Sequence, residues 1–467
     1  MKSTLITRAL FAVILSGLLW SCDKDEDQDP IIEEPTEPTL EEDINNWIFA
    51  VMNEVYYWRE NMRTPIAKTS DPTAYFNSLL NIPTDRFSVI YPDYQELINS
   101  LQGISLDPGY EAKWYGVADS DDVYGEVIYT KENSPSSSLD LKRGDLIISI
   151  NGTRLSRSNF SELRGQTGIT HTISTLRFNE ETSAYEPKED LSITPVQFSE
   201  DPNFLDSVYT IGDQKIGYVV YNFFAPGTTD DNTKYDQEMD AVFEKMKAEN
   251  INNLVLDLRY NGGGFVSSAV NLASLIGPGV SSSDIFSKTK YNSFLMENVE
   301  GLRNDNRNFL NKPQNLGNIL TGNRLYVLTS SGTASASELI INGLKPYMDV
   351  FLIGDVTYGK NVGSIAIEDE ENPKNAYGLL PIISQSFNSL DQSDYTTGFV
   401  PNVAINENTE RLQTLGDVNE IMLRTAIEQI TGTPSSARVT KLDRIELANS
   451  LDGKIRMGQM IESPLKD

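Results

Sequence analysis

Residues 253–264 read NLVLDLRYNGGG, an apolar run that ends in three consecutive glycines. The run predicts a buried strand over Asn253–Arg259, and the residues after the glycines predict a helix over Val266–Ile276. A glycine run between a strand and a helix lets backbone N–H groups point into a cleft, where they can hold a phosphate or an oxyanion. No GK[ST] follows it and it is not GxGxxG, so a tight connection without chemistry is an open alternative.

The flanking sequence continues the alternation of strands and helices. The apolar patterns predict the following elements: strands over Lys215–Phe224, Arg324–Thr329 and Val350–Ile353, and helices over Tyr235–Asn250 and Ser335–Tyr347. Such alternation predicts an α/β (α+β multidomain) chain with a mostly parallel sheet at its core. The polar stretch 281–321 is expected to be an irregular cover over a sheet edge or a site.

Composition excludes several classes of function. The 467 residues carry 38 Lys and Arg against 67 Asp and Glu, a net charge of −29, so a nucleic-acid partner is not expected. One Cys and one His rule out an internal disulfide, a Cys-rich zinc site and an HExxH metalloprotease. Hydrolytic chemistry is therefore expected to use a base other than His, with no metal or organic cofactor. We interpret His171 as a structural or surface residue.

The N-terminus has the pattern of a lipoprotein leader. Lys2 and Arg8 precede Ala9–Trp20, an apolar stretch of twelve residues, and Leu19-Trp20-Ser21-Cys22 resembles a bacterial lipobox. Residues 1–21 are predicted to be a signal peptide, with Cys22 lipidated; an ordinary signal peptide with an incidental Cys is the alternative. The acidic residues 22–43 predict an extended tether to a membrane. The predicted location is the cell envelope, as an outer-membrane lipoprotein facing the periplasm or the cell surface, in an oligomeric state that the sequence does not give.

Four further segments follow the tether. Residues 44–107 are predicted to be a helical domain, with Asp43 as the N-cap of its first helix. Residues 108–197 predict short strands, because 143–152 (RGDLIISING) has the pattern of a turn, a strand and a hairpin. The α/β core is assigned to 198–432, and residues 433–467 carry no pattern or motif that assigns them.

Two loops carry a candidate functional serine and a candidate base. The first is 330–338 (SSGTASASE), where Ser335 begins a helix; Ser335 and Glu338 also have the spacing of a capping box. The second is 354–360 (GDVTYGK), where the alternative for Lys360 is a solvated charge. With a free pKa near 10.4, Lys must be desolvated to act as a base. Val356, Tyr358 and Val362 are the candidate apolar wall.

Together these motifs resemble the C-terminal processing (tail-specific) proteases, a family of Ser–Lys peptidases. The chain shows DLRYNGGG at 257–264, SASE at 335–338, GDVTYGK at 354–360 and DRFS at 85–88, with Ser335 and Lys360 twenty-five residues apart. The resemblance implies that Ser335 is the nucleophile and Lys360 the general base. It also implies an oxyanion hole made by the backbone N–H of Ala336 and of Gly263 or Gly264.

Residues 108–197 resemble a PDZ domain, inserted before the protease core. The resemblance implies that Tyr115, Gly116 and Val117 form the loop that binds the C-terminal carboxylate of a peptide, which adds as a strand to the sheet. The expected partner is then an unfolded or exported protein, held by its C-terminal tail and cut by an acyl-enzyme mechanism.

Two departures from the family pattern leave the orientation of Lys360 open. Many relatives place Gln four residues after the Lys, where this chain has Ser364, and some place Asp where it has Pro346. The candidates for orienting Lys360 are Ser364, Gln385 and Glu338. One alternative function is a peptide-binding lipoprotein whose protease fold has lost turnover. Another is a carbohydrate-binding surface lipoprotein, which leaves the Ser–Lys spacing unexplained.

Overall fold

A computed structural model describes residues 38–434, 442, 444–463 and 465. The predicted signal peptide, Cys22 and residues 22–37 of the predicted tether lie outside this part of the chain. Among the described residues, no helix has both the length and the apolar composition needed to cross a bilayer.

The N-terminal segment is helical and packs onto the core. Its elements are α1 (Leu40–Val55), α2 (Pro72–Leu79), β1 (Val89–Tyr91), α3 (Tyr94–Leu101) and β2 (Ile104–Asp107). The first helix is capped by Thr39 and not by Asp43: the Thr39 hydroxyl accepts the Glu42 N–H, and the Glu42 carboxylate accepts the Thr39 N–H. The buried face of α1 contacts Tyr291 and Leu295 of the core, and β1 pairs with a core strand. The segment therefore packs directly against the α/β core.

The predicted β domain forms an antiparallel sheet. Its elements are β3 (Tyr110–Gly116), β4 (Val123–Thr130), β5 (Leu146–Ile150), β6 (Thr153–Arg154), α4 (Phe160–Gly165), β7 (His171–Asn179), β8 (Ala184–Pro187), β9 (Leu191–Ile193) and β10 (Val196–Ser199). The predicted strand and hairpin at 146–152 are confirmed, with Asn151 and Gly152 both at positive φ in the turn. His171 is buried; its Nδ1 lies 2.8 Å from the Ile169 carbonyl oxygen and its Nε2 3.3 Å from the Tyr110 hydroxyl, as expected for a structural residue.

The α/β core follows. Its elements are β11 (Asn203–Ile211), β12 (Gln214–Tyr221), α5 (Lys234–Ala248), β13 (Asn253–Asp257), β14 (Gly264–Phe265), α6 (Val266–Ile276), β15 (Ile285–Tyr291), α7 (Ser293–Asn298), β16 (Asp305–Asn308), β17 (Arg324–Thr329), α8 (Ala336–Leu344), β18 (Asp349–Gly354), β19 (Val362–Ser364), β20 (Gly378–Leu380), β21 (Ile382–Asn388), β22 (Val403–Ala404) and α9 (Ile421–Thr431). One sheet has the order β11-β12-β13-β17-β18-β22 and is parallel except for the β11–β12 pair. Apolar residues of α5, α6 and α8 form one core with this sheet, and residues of α9 form another. The predicted mostly parallel sheet is confirmed.

A second sheet corrects the expectation for residues 281–321. Its order is β14-β24-β19-β21-β15-β16, where β24 is Met460–Ile461. The stretch 281–321 supplies β15 and β16 to it, so it is not an irregular cover. Polar side chains such as Ser287 and Thr289 are buried at these positions, and the apolar pattern therefore failed to mark the strand.

The C-terminal segment, which the sequence left unassigned, joins two sheets. Strand β23 (Ile445–Asn449) pairs antiparallel with the outer edge of β3, and β24 lies between β14 and β19. A chain segment without periodicity thus links the β domain to the second sheet.

Candidate active site

Ser335 lies at the start of α8 in a strained conformation. Its φ of 63° and ψ of −114° are unusual for a residue with a side chain. Such strain persists only where the surrounding structure imposes it, and it is typical of functional sites. Its hydroxyl makes no hydrogen bond within the described residues, although the side chain is buried. The hydroxyl therefore remains available for chemistry, while the Glu338 carboxylate accepts the Ser335 N–H as in a capping box.

The Glu338 carboxylate holds the two loops of the site together. One oxygen accepts the backbone N–H of Ser335 at 2.9 Å and of Lys360 at 2.8 Å. The other accepts the Gly359 N–H at 2.7 Å and the Thr357 hydroxyl at 2.6 Å. Burial raises the pKa of Glu338, and these four donors oppose that rise. An ionised carboxylate can accept all four of these hydrogen bonds. Together they fix the backbone of Ser335 relative to that of Lys360.

Lys360 is fully buried, and this burial lowers its pKa to about 7. The negative charges of Asp85 and Glu338 oppose the shift. The Phe87 ring covers the amine, with its centroid 4.8 Å from Nζ. Of the predicted wall, Val362 is buried, whereas Val356 and Tyr358 are each 41% exposed. The apolar cover over the amine therefore includes Phe87, in the N-terminal helical segment.

The acceptors on the Lys360 amine lie in the C-terminal segment. Nζ donates to the Gly458 carbonyl at 2.6 Å and to the Gln459 side-chain oxygen at 3.1 Å. None of the three candidates from the sequence accepts a hydrogen bond from the amine in the described part of the chain. Glu338 contacts the Lys360 backbone, and Gln385 bonds to Tyr57 and Ser393. Ser364 is buried, and its hydroxyl has no hydrogen-bond partner among the described residues.

The structure brings the glycine run against Ser335. A Cβ placed on Gly263 would lie 2.7 Å from the Ser335 Cβ and 2.5 Å from the Gln459 carbonyl oxygen, so only glycine fits here. The Gly264 N–H donates to that same carbonyl at 2.6 Å, whereas the Gly263 N–H donates to the side chain of Asn261. Ala336 is the first residue of α8. One proposed oxyanion donor, the Gly264 N–H, is therefore occupied by the Gln459 carbonyl, and Gly263 lies directly against Ser335.

The prediction of a peptide-binding loop at Tyr115, Gly116 and Val117 is wrong. Tyr115 and Gly116 lie inside β3, where both edges are already paired, to β4 and to β23. The Val117 N–H donates to the Asp122 carbonyl. A carboxylate-binding loop needs several unpaired N–H groups, and these residues do not offer them.

A cavity of about 420 Å³ opens beside the site, between the β domain and the core. The loop 330–334 lines one side, and Met457 and Gly458 line another. Below it, Glu407 pairs with Lys113 and Arg143 of the β domain and with Arg259 of the core. These buried pairs fix the β domain next to the cavity. The described part of the chain has no group of three His, Cys, Asp or Glu side chains placed to hold a metal ion.

Comparison with known proteins agrees with this geometry. The model of Peptidase family S41 matches residues 215–380, and that of the Peptidase S41 N-terminal domain matches 43–89. The fold is similar to the crystal structure of an S41 protease from Bacteroides fragilis, with a TM-score of 0.69 and 26% identity, over 85% of this chain and 99% of that one. The chain therefore matches peptidase family S41, a family of serine-type peptidases, in its N-terminal segment and in its α/β core.

Two curated relatives are processing peptidases. The chain is 26% identical to carboxyl-terminal-processing peptidase 3 of Arabidopsis thaliana, over 59% of this chain and 50% of that protein. It is 21% identical to the carboxyl-terminal-processing protease of Picosynechococcus sp., over 68% of this chain and 69% of that protein. The chain thus spans about half of the first relative and about two thirds of the second.

Proposed function

We propose that this chain is a serine endopeptidase in which Ser335 is the nucleophile and Lys360 the general base. The observation that carries the proposal is the buried Lys360 amine, whose pKa is about 7. The Glu338 carboxylate accepts the backbone N–H of both Lys360 and Ser335, and the Ser335 hydroxyl has no hydrogen-bond partner among the described residues. With a pKa of about 7, roughly half of the amine is neutral at pH 7, against well under about 0.1% for a solvated lysine.

The mechanism follows from these roles. Neutral Lys360 accepts the Ser335 proton as the hydroxyl oxygen attacks the substrate carbonyl carbon. The N–H groups of Ala336 and of Gly263 or Gly264 stabilise the oxyanion. Lys360 then protonates the leaving amine, which departs and leaves an acyl-enzyme. A water molecule that gives its proton to Lys360 hydrolyses the ester and restores Ser335.

The proposed substrates are the C-terminal tails of unfolded or exported proteins. The support is the family and the names of the two curated relatives. We place the protein at the cell envelope, held by lipid on Cys22, because of the lipobox pattern and the acidic residues that follow it. Metabolic labelling with a fatty-acid analogue tests the anchor: label is expected on the wild type and is lost in Cys22→Ala.

Digestion of an unfolded protein tests the activity. Residues 23–467 are incubated with casein, beside Ser335→Ala and Lys360→Ala, and fragments are identified by mass spectrometry. Fragments from the wild type alone support the mechanism. Full activity in either variant refutes it, and a folded wild type that binds casein without cutting it favours the non-catalytic alternative.

A further inference from the structure

The described state of the site is closed to a substrate. Ser335 and Lys360 are both 0% exposed, so the hydroxyl cannot reach a bond in another protein. The segment 457–462 lies directly over them. Its Gly458 N–H donates to the Gly262 carbonyl at 2.8 Å, and a Cβ on Gly262 would meet the Met457 sulfur at 2.6 Å. The chain's own C-terminal segment therefore closes the site.

This segment contacts the catalytic groups as a bound peptide would. The Gln459 carbonyl accepts the N–H of Gly264, a proposed oxyanion donor, and the Gly458 carbonyl accepts from the Lys360 amine. On either side its backbone completes a sheet, pairing parallel with β14 and β19. Addition of an extended peptide to a sheet as a further strand is a common way for proteins to bind peptides.

We propose that residues 457–462 occupy the channel in which substrates bind, and that they leave it before a protein is cut. The inference rests on the proposed function, because it takes Ser335 and Lys360 as the catalytic pair. Residues 457–462 also indicate what kind of substrate the channel binds. It is an extended peptide with apolar side chains at the positions of Met460 and Ile461, both of which are buried.

The distribution of ion pairs indicates which part moves. Upstream of residue 457, the segment is held by Arg444–Glu126, by Lys454–Asp107 and by Arg456–Glu200. Within 457–462, the ion pair in the described structure is Arg307–Glu462 at 3.1 Å. Residues 457–462 therefore have fewer ionic contacts than the residues that precede them, which are anchored to the β domain and to the residues that flank it.

A reversible disulfide tests the proposal in the complete folded protein. Ser364 and Ile461 are Cα partners in adjacent parallel strands, a spacing of about 4.8 Å that a disulfide can bridge. The chain has a single Cys, at position 22, so residues 23–467 carrying Ser364→Cys and Ile461→Cys form one defined bridge. Casein cleavage is compared in the oxidised and reduced forms, with each single variant as control.

We expect oxidation to lower cleavage by the double variant at least about tenfold, because locking leaves little of the open state, and reduction to restore it. The single variants are expected to behave alike in both forms. A locked protein that keeps its full activity overturns the proposal and makes Gln459 a permanent part of the site.

A second measurement does not depend on turnover. In a Ser335→Ala background, Ile461→Cys is labelled with a thiol reagent, with and without cysteine-free casein. Faster labelling with casein supports displacement, and an unchanged rate overturns it; Val400→Cys, at a 77% exposed position, is the control. If no form cuts casein, the proposed function fails, while the labelling still decides whether the segment leaves.

Discussion

The pH dependence of cleavage is the most direct consequence of the buried lysine. A pKa of about 7 for Lys360 means that about a tenth of the amine is neutral at pH 6 and about nine tenths at pH 8. Because neutral Lys360 is the base, kcat/KM is expected to rise about tenfold between these values and then level off. The kcat/KM profile reports the free enzyme, which is the state of this structure.

Substitution of Asp85 is expected to move the midpoint of the kcat/KM pH profile. Its negative charge raises the pKa of Lys360 against the effect of burial, so Asp85→Asn is expected to shift the midpoint to lower pH. The substitution keeps an acceptor oxygen for the N–H groups of Phe87 and Ser88, which Asp85 binds at 3.0 Å. Asp71→Asn, which removes the same charge from an exposed helix cap, is the matched control.

The assay is initial-rate cleavage of a quenched fluorescent peptide, chosen from the casein sites, between pH 5.5 and 9 at constant ionic strength. We expect the pH midpoint of Asp85→Asn to lie below that of the wild type, and the pH midpoint of Asp71→Asn to equal it. A wild-type profile that is flat from pH 6 to 8, or an Asp85→Asn profile that does not move, would refute the assignment of Lys360 as the titrating base.

Three further predictions concern the buried charges. Glu338→Gln turns an amide NH₂ toward backbone donors, so the two loops shift and kcat is expected to fall about 100-fold, with an unchanged circular dichroism spectrum. Glu407→Gln leaves Lys113, Arg143 and Arg259 without their shared carboxylate, and is expected to cost about 3–5 kcal/mol in denaturant unfolding. Lys360 binds a proton in the unfolded chain but not in the folded one between its folded pKa of about 7 and its ordinary value. The unfolding free energy of the wild type should therefore rise by about 1.4 kcal/mol per pH unit relative to Lys360→Met between pH 7.5 and 9.5, and equal slopes would contradict the burial.

The core and the catalytic pair were predictable because their signals are local. Apolar periodicity marked α6 over Val266–Ile276 and β17 over Arg324–Thr329 at the bounds that the structure has. The strand–glycine–helix order then placed Gly263 near a cleft. Ser335 was ambiguous from spacing alone, since a capping serine and a nucleophile share the pattern; the unpartnered hydroxyl distinguishes them.

The surroundings of Lys360 were not predictable in the same way. Gln459 lies ninety-nine residues after Lys360, in a segment without periodicity, so no local pattern connects them. Phe87 and Asp85 belong to a motif that the sequence showed, but only the packing of the N-terminal helices brings it to the amine. The peptide-loop prediction failed for a related reason: β23, which pairs with Gly116, comes from the far end of the chain.

The hydrogen-bond capacity of a neutral amine links the closed site to the mechanism. Such an amine has two N–H donors and one lone pair, and here Gly458 and Gln459 accept two hydrogen bonds from Lys360. The Ser335 hydroxyl, meanwhile, has no hydrogen-bond partner among the residues that the structure describes. When residues 457–462 leave, the amine loses both acceptors and is free to rotate, so that its lone pair can receive the Ser335 proton. The incoming peptide then takes over the Gly264 N–H that Gln459 releases, and the same event that admits a substrate also completes the catalytic pair.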